Sequence, residues 1–259
     1  METSEEHSHA NVWGSLWCEA RLAASFLTIV PMGVAGQAPN RCLTGSFAFF
    51  PLIGFLIGAT LVIEDFVLTP VFKAPIRSVG LVLSLALLTG CVHLDGLADA
   101  ADAFGARGDR QRALDVMRDS RVGVYGAVAL FFVLIVKCAA LTALDGWTRR
   151  VALYAAPGLS RWAMVATSEG LKYLRAEGAG GKLLAPCPTR FARAGLMTLG
   201  ALLPVICGPL LIALGAVVLL ALAAKAFYRR WLGGVTGDLL GAVCELSEAL
   251  ALVIFCAAA

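Results

Sequence analysis

Charge is scarce in this chain. Charged residues make up 15% of its 259 positions, well under the roughly 25% of ordinary soluble domains. Hydrophobic residues make up 59%, and that amount of apolar sequence excludes a soluble α/β protein. No two of the eight cysteines form a C-x-x-C pair. A zinc site or a disulfide framework therefore has no basis in the spacing, and buried free cysteine behaves as a small hydrophobe. A basic stretch before the first apolar run is also missing. "METSEEHSHANVW" is thus a poor signal peptide, and residues 1–16 read as a disordered cap. The net charge of +3 is too small, and too unclustered, to suggest nucleic acid as a partner. No long polar linker splits the chain, so residues 17–259 read as a single membrane-embedded domain.

What is abundant is apolar sequence in long blocks. A run of 18 or more such residues reads as a transmembrane helix. Spans are expected near 46–63, 78–92, 124–144, 150–168, 196–223 and 236–258, with a seventh near 17–32. The expected fold is all-α, a polytopic bundle of about six to seven transmembrane helices embedded in a lipid bilayer. Orientation follows from the Lys/Arg asymmetry of the loops. Loops 93–123 and 169–195 fall on one face with ten such residues. Lys73, Arg77, Arg149, Arg150, Lys225, Arg229 and Arg230 fall on the other. That favours two large loops in the cytoplasm and a protein integral to the cytoplasmic (inner) membrane of a bacterial-type cell.

One segment breaks the apolar pattern sharply: "HLDGLADAADAFGARGDRQRALDVMRDSRVGVYG", from His93 to Gly126. Asp95, Asp99 and Asp102 stand at i, i+4 and i+7, on one helical face. Stacked carboxylates repel unless a cation lies among them. Oxygen donors without nearby cysteine suit a hard ion, Mg²⁺ or alternatively Mn²⁺. The plainer reading is a solvated amphipathic helix paired with its own arginines. It accounts poorly for acids that begin at the very end of a span. Downstream, Asp115 and Asp119 are four apart, and Arg118 and Arg121 three apart. Arginine forks match phosphate oxygens. Acids that hold a divalent ion beside arginines that grip phosphate are the parts of a phosphoryl-transfer site. Gly123 and Gly126 allow either close helix packing or close approach of a ligand.

Other polar features interrupt apolar sequence. Arg161 lies inside the 150–168 block, where a charge normally has a partner or a ligand. Asp238, Glu245 and Glu248 lie near one face of the last span, as contacts to metal or substrate or as partners of Arg161. "LRAEGAGGKL" carries Arg175, Glu177 and Lys182 but is not a Walker loop. If 196–223 crosses fully, "GGVTGD" begins on the face away from the charged loops. Either the Pro204/Gly208-Pro209 region breaks that helix, or Asp238 and Glu245 reach the site from within the bilayer; the second is the expectation.

The segment "TGCVHLDGLADAADAFGARGDRQRALDVMRDSRVGVYGAVAL" closely resembles the hallmark region of cobalamin synthases, also called adenosylcobinamide-GDP ribazoletransferases. "SFLTIVPMG", "FFPLIGFLIGA", "LSRWAM", "YLRAEGAGG" and "GGVTGDLLGAVCELSEAL" resemble further landmarks in the same order, over about 230 residues. Ile29 departs from the family's frequent arginine, which leaves an N-terminal phosphate contact open. The resemblance implies an integral membrane enzyme that joins adenosylcobinamide-GDP to α-ribazole or its 5′-phosphate and releases GMP, with a divalent metal. Its matching positions are His93, Asp95, Gly96, Asp99 and Asp102, then Arg118, Asp119, Ser120, Arg121 and Gly123. Ser160, Arg161, Arg175, Glu177, Gly178, Thr236, Gly237, Asp238 and Glu245 follow. On this reading Asp95 and Asp99 hold the metal, and Asp102 is a third ligand or the base. Arg118 and Arg121 clamp phosphate, and Asp119, Ser120, Arg161, Arg175, Asp238 and Glu245 complete the substrate site. His93 is a base, a ligand or a structural residue. A homo-oligomer, or association with other cobamide-assembly enzymes, is compatible with this reading. The rival readings are a CDP-alcohol phosphotransferase-like enzyme, whose D-x-x-D-G-x-x-A-R pattern is broken here by Val92, and a transporter with a polar path through Arg161, Glu245 and Glu248.

Overall fold

A computed structural model describes residues 2–33, 39–106, 109–175, 179–185 and 187–258; for 2–13 and 179–180 only the backbone is described. Twelve α-helices follow one another among these residues: α1 (Glu2–Leu27), α2 (Asn40–Ser46), α3 (Phe50–Leu68), α4 (Ala74–Leu88), α5 (Val92–Gly105), α6 (Arg110–Val116), α7 (Val124–Ala143), α8 (Gly146–Ser168), α9 (Ala179–Leu183), α10 (Arg190–Leu202), α11 (Gly208–Trp231) and α12 (Gly237–Ala257). The chain thus forms the expected all-α membrane bundle. Four helical stretches are long and apolar enough to cross a bilayer: Asn40–Leu68, Val124–Ala143, Gly208–Trp231 and Gly237–Ala257. The pair α4 and α5, bent by 89° at its junction, makes up to five. The sequence predicts six to seven. The two expected spans not among these are α8, which carries three arginines, and the 17–32 stretch in α1; the 196–223 block is not one helix, and its crossing is Gly208–Trp231.

α8 sits at the centre of the bundle. Small residues let its neighbours approach closely: Ala152, Ala155, Ala156 and Ala163 are buried, and Gly54 and Gly58 of α3 face the α8 backbone at Pro157 and Tyr154. Close approach through small residues is how helices associate where lipid supplies no hydrophobic driving force. Pro157 has no N–H to give the Leu153 carbonyl one turn earlier, and its own carbonyl accepts from Ser160 Oγ at 2.9 Å. α12 lies inside the bundle, with 72% of its apolar window buried, whereas α11, at 22%, faces lipid.

Two junctions decide where the polar residues go. At the first, Gly90 (φ +59°) and Cys91 (φ +58°) both adopt left-handed backbone. Glycine does so freely; cysteine does so at a cost of roughly 1–2 kcal/mol. The result turns α5 nearly perpendicular to α4, so the "HLDGLADAADAFG" helix does not continue the span. At the second, α10 ends in a 3₁₀ turn at Leu203–Val205, and α11 starts afresh after Cys207. The chain runs out along α10 and returns along α11, which brings "GGVTGD" back to the end of the bundle that holds the charged loops. The expectation that Asp238 and Glu245 reach the site from within the bilayer is therefore corrected for Asp238: the Pro204/Gly208-Pro209 region marks a break between two helices. Lys225, Arg229 and Arg230 return with α11, which leaves Lys73, Arg77, Arg149 and Arg150 at the far end.

The N-terminal segment also differs from expectation. α1 begins at Glu2, through the stretch read as a disordered cap. No proline interrupts the chain before Pro31, and a helix already formed at residues 17–27 extends backward at little nucleation cost.

Candidate active site

At the loop-bearing end of the bundle a cleft of about 380 Å³ opens between α5, α12 and the segments after α6 and α8. α5 supplies Asp95 and Asp99, and α12 supplies Asp238. These carboxylates meet because the two helices touch at backbone distance. A methyl group added at Gly96 would stand 2.9 Å from the Asp238 carbonyl oxygen and 3.0 Å from its Cα. A methyl group added at Gly241, nearly one turn on, would stand 3.2 Å from the His93 carbonyl oxygen. Thr236 caps α12, accepting from the Leu239 N–H at 3.3 Å and donating to Asp238 Oδ2 at 3.2 Å.

The cationic side of the cleft comes from loops. Arg175 pairs with Asp238 and donates to the Met117 carbonyl at 3.0 Å. A parallel bridge between Tyr173 and Val235 ties the Arg175 loop to the start of α12. Arg118, Asp119 and Ser120 complete the wall. Arg118 is more than half exposed and lies 3.9 Å from Asp115, a pair too solvated to hold it. It is free to turn to a ligand. Asp99 shares the cleft with the like charges of Asp95, one turn before it on α5, and Asp238 across it on α12. The cleft is thus short of positive charge where its acids crowd.

Seven predicted site residues come together here: Asp95, Asp99, Arg118, Asp119, Ser120, Arg175 and Asp238. Five do not. Asp102 leaves the acidic face and accepts the backbone N–H of Gly123 at 2.7 Å and of Gly126 at 2.9 Å. It caps α7, where a negative charge is favoured, and does not line the cleft. This also accounts for the two glycines, since a side chain at either would collide with the Asp102 carboxylate. Arg121 turns out to solvent, 87% exposed, and grips Asp119 with Nε at 2.9 Å. That contact holds the Asp119 carboxyl down at about 2. Arg121 thus braces Asp119 and does not itself line the cleft in the free protein.

His93, Arg161 and Glu245 are buried below the cleft in one charge network. Lys137 Nζ donates to Glu245 Oε2 and to Glu248 Oε2, each at 2.6 Å. Glu248 in turn accepts from Arg161, whose Nη2 lies 3.4 Å from His93 Nδ1. Two cations face two carboxylates, so the cluster is neutral, as a low-dielectric interior requires. Arg161 and Glu245 have their partners within the protein and do not line the cleft. Lys137 is the residue the sequence reading missed. The signal was a lone lysine in the middle of "AVALFFVLIVKCAAL". Glu177 and Gly178 lie outside the described residues.

Among the described residues no three carboxylate, imidazole or thiol groups converge tightly enough to form a ready-made cation cage. The donor chemistry nonetheless fits Mg²⁺. That ion uses one or two carboxylates and fills its remaining positions with water and substrate phosphate. Asp95 and Asp99, one turn apart on α5, are such a pair.

Fold and cleft together define a polytopic helical membrane protein whose acidic, arginine-flanked opening is suited to a phosphorylated ligand. The particular family follows from comparison: the chain belongs to the cobalamin-5-phosphate synthase family, which it matches over residues 19–256. It is 38% identical to an adenosylcobinamide-GDP ribazoletransferase of Geotalea daltonii, over 90% of this chain and 94% of the relative. It is 39% identical to that of Pseudomonas putida, over 90% and 95%, and 36% identical to that of a Roseiflexus species, over 97% and 93%. No solved structure matches the chain. The CDP-alcohol phosphotransferase and transporter readings are not favoured.

Proposed function

We propose that this chain joins adenosylcobinamide-GDP to α-ribazole, or to its 5′-phosphate, and releases GMP. The observation that supports this most directly is the contact of α5 with α12 at Gly96. It sets Asp95 and Asp99 opposite Asp238, within one cleft flanked by Arg118 and Arg175. A diphosphate brings the positive-charge deficit of the cleft to a head, and Mg²⁺ held by Asp95 and Asp99 would supply neutralisation of its oxygens. Arg118 and Arg175 orient the two phosphates. Arg175 is held by Asp238 in the free protein, and an incoming diphosphate competes for it. Once released, the Asp238 carboxylate is the acceptor for the proton of the attacking ribose hydroxyl. A bond forms from that hydroxyl oxygen to the cobinamide-bearing phosphorus. The bond from the same phosphorus to the bridging oxygen breaks, and GMP leaves with that oxygen.

The site faces the cytoplasm on this proposal, in the cytoplasmic membrane, because positive charge collects at the cleft end once Lys225, Arg229 and Arg230 return there. The test is GMP release by the full-length protein in detergent with both substrates and Mg²⁺. Asp95→Asn and Asp99→Asn should each lower turnover by about 100-fold or more, the scale of a lost charge-stabilising contact. Turnover within twofold of the parent for both variants would end the assignment.

A further inference from the structure

At the end of the bundle away from the cleft, a groove of about 340 Å³ opens between α3, α8 and the α10–α11 turn. Its depth in the bilayer follows from the turn that forms one wall. Pro204 and Val205 belong to an irregular stretch whose neighbours Leu203 and Ile206 are exposed. Irregular backbone that faces lipid is found at headgroup level, where free N–H and C=O groups meet water. The other wall agrees. Trp147, in the first turn of α8, is exposed and belongs to a residue type enriched at the interface.

The charged residue that lines the groove, Arg150, sits at its outer end; deeper in, the Tyr154 hydroxyl is spent on the Ala201 carbonyl at 3.2 Å. Arg149 and Arg150 are adjacent but point apart. Arg149 turns inward, where its Nε meets Asp65 at 2.8 Å. Arg150 lines the groove, with its guanidinium 5.8 Å from the Phe66 ring, and among the described residues it forms no ion pair. Beside and below Arg150 the walls are Val151, Val62 and Ala59, all apolar.

We propose that this groove binds an anionic glycerophospholipid, with its phosphate on Arg150 and one acyl chain along Ala59, Val62 and Val151. An unpaired arginine fork matches a phosphate in charge and shape. The order from the membrane surface inward, cation then apolar floor, is the order of headgroup and chain. The volume lies within the roughly 300–1,000 Å³ of small-molecule sites. The site is separate from the reaction cleft and shares no residue with it.

Native mass spectrometry of the delipidated full-length protein tests this, with phosphatidylglycerol and phosphatidylcholine of identical chains. The parent should bind one phosphatidylglycerol about 5-fold more tightly than phosphatidylcholine, the scale of one cation at a membrane surface. Arg150→Gln should erase that preference, while Arg229→Gln, which removes an equal charge at the cleft end, should keep it. Ala59→Leu, which fills the floor and leaves the charge, should weaken both lipids. Equal affinity for the two lipids in the parent, or a preference that survives Arg150→Gln, overturns the proposal. So does a preference lost equally in Arg229→Gln, or lipid binding indifferent to Ala59→Leu.

Discussion

Adding one methyl group at Gly96 should disable the cleft without touching a polar atom. The new Cβ would stand 2.9 Å from the Asp238 carbonyl oxygen, 3.0 Å from Asp238 Cα and 3.3 Å from Gly241 Cα. All three are backbone atoms, so no side chain can swing away. Carbon reaches its best van der Waals separation at about 3.5–4.0 Å, so α5 and α12 must part by roughly 0.5–1 Å. Overpacking of this kind costs about 1–3 kcal/mol. The larger effect is on geometry, because Asp95 and Asp99 move with α5 while Asp238 stays with α12. A misplacement near 1 Å can cost ~100-fold in rate. Gly96→Ala should therefore lose about 10- to 100-fold in GMP release while the protein remains folded, and Gly96→Val should lose more. Gly215→Ala in α11, where an added methyl meets nothing within 4 Å, is the control and should be silent. Parent-like turnover and thermal stability in Gly96→Ala would refute the argument that this contact assembles the site.

Three further outcomes are expected. Lys137→Met strands the Glu245 carboxylate in the bundle interior, leaving Glu248 to Arg161, and should destabilise the protein by about 3–5 kcal/mol in reversible unfolding from detergent; adding Glu245→Gln restores neutrality and should recover most of it, and no recovery would contradict the pairing. Asp102→Ala removes the cap of α7 and should cost ~1–2 kcal/mol of stability, while the Mg²⁺ concentration needed for half-maximal GMP release stays unchanged; a large rise in that concentration would return Asp102 to the ligand set. Arg118→Ala and Arg175→Ala should raise KM for the diphosphate substrate by about 10-fold or more, and Arg121→Ala should change it less than either; the reverse ranking would show that Arg121 reaches the substrate.

The acidic pair on α5 was legible because helical spacing is local: Asp95 and Asp99 lie one turn apart whatever surrounds them. Asp102 has the same helical phase, yet its partners are Gly123 and Gly126, more than twenty residues on. Periodicity alone places it with Asp95 and Asp99, but the tertiary contacts take it to the start of α7. Arg118 and Arg121 look equivalent in sequence. The difference between them is that Asp119 binds Arg121 through a local turn and leaves Arg118 to the cleft. The break between α10 and α11 was hidden because apolar composition continues through it; the prolines were the only punctuation.

By itself the sequence determines an all-helical membrane bundle, the helix that carries the acids, and the loops that carry the arginines. Those properties depend on composition and on spacing within a turn or two. Only the tertiary structure decides which acids share a cleft, that Asp238 returns to them, and that Lys137 neutralises Glu245 and Glu248 from 108 and 111 residues away. The physical reason is that a charge in a low-dielectric bundle takes the nearest counter-charge in space, and proximity in space is set by helix contacts such as Gly96 on Asp238.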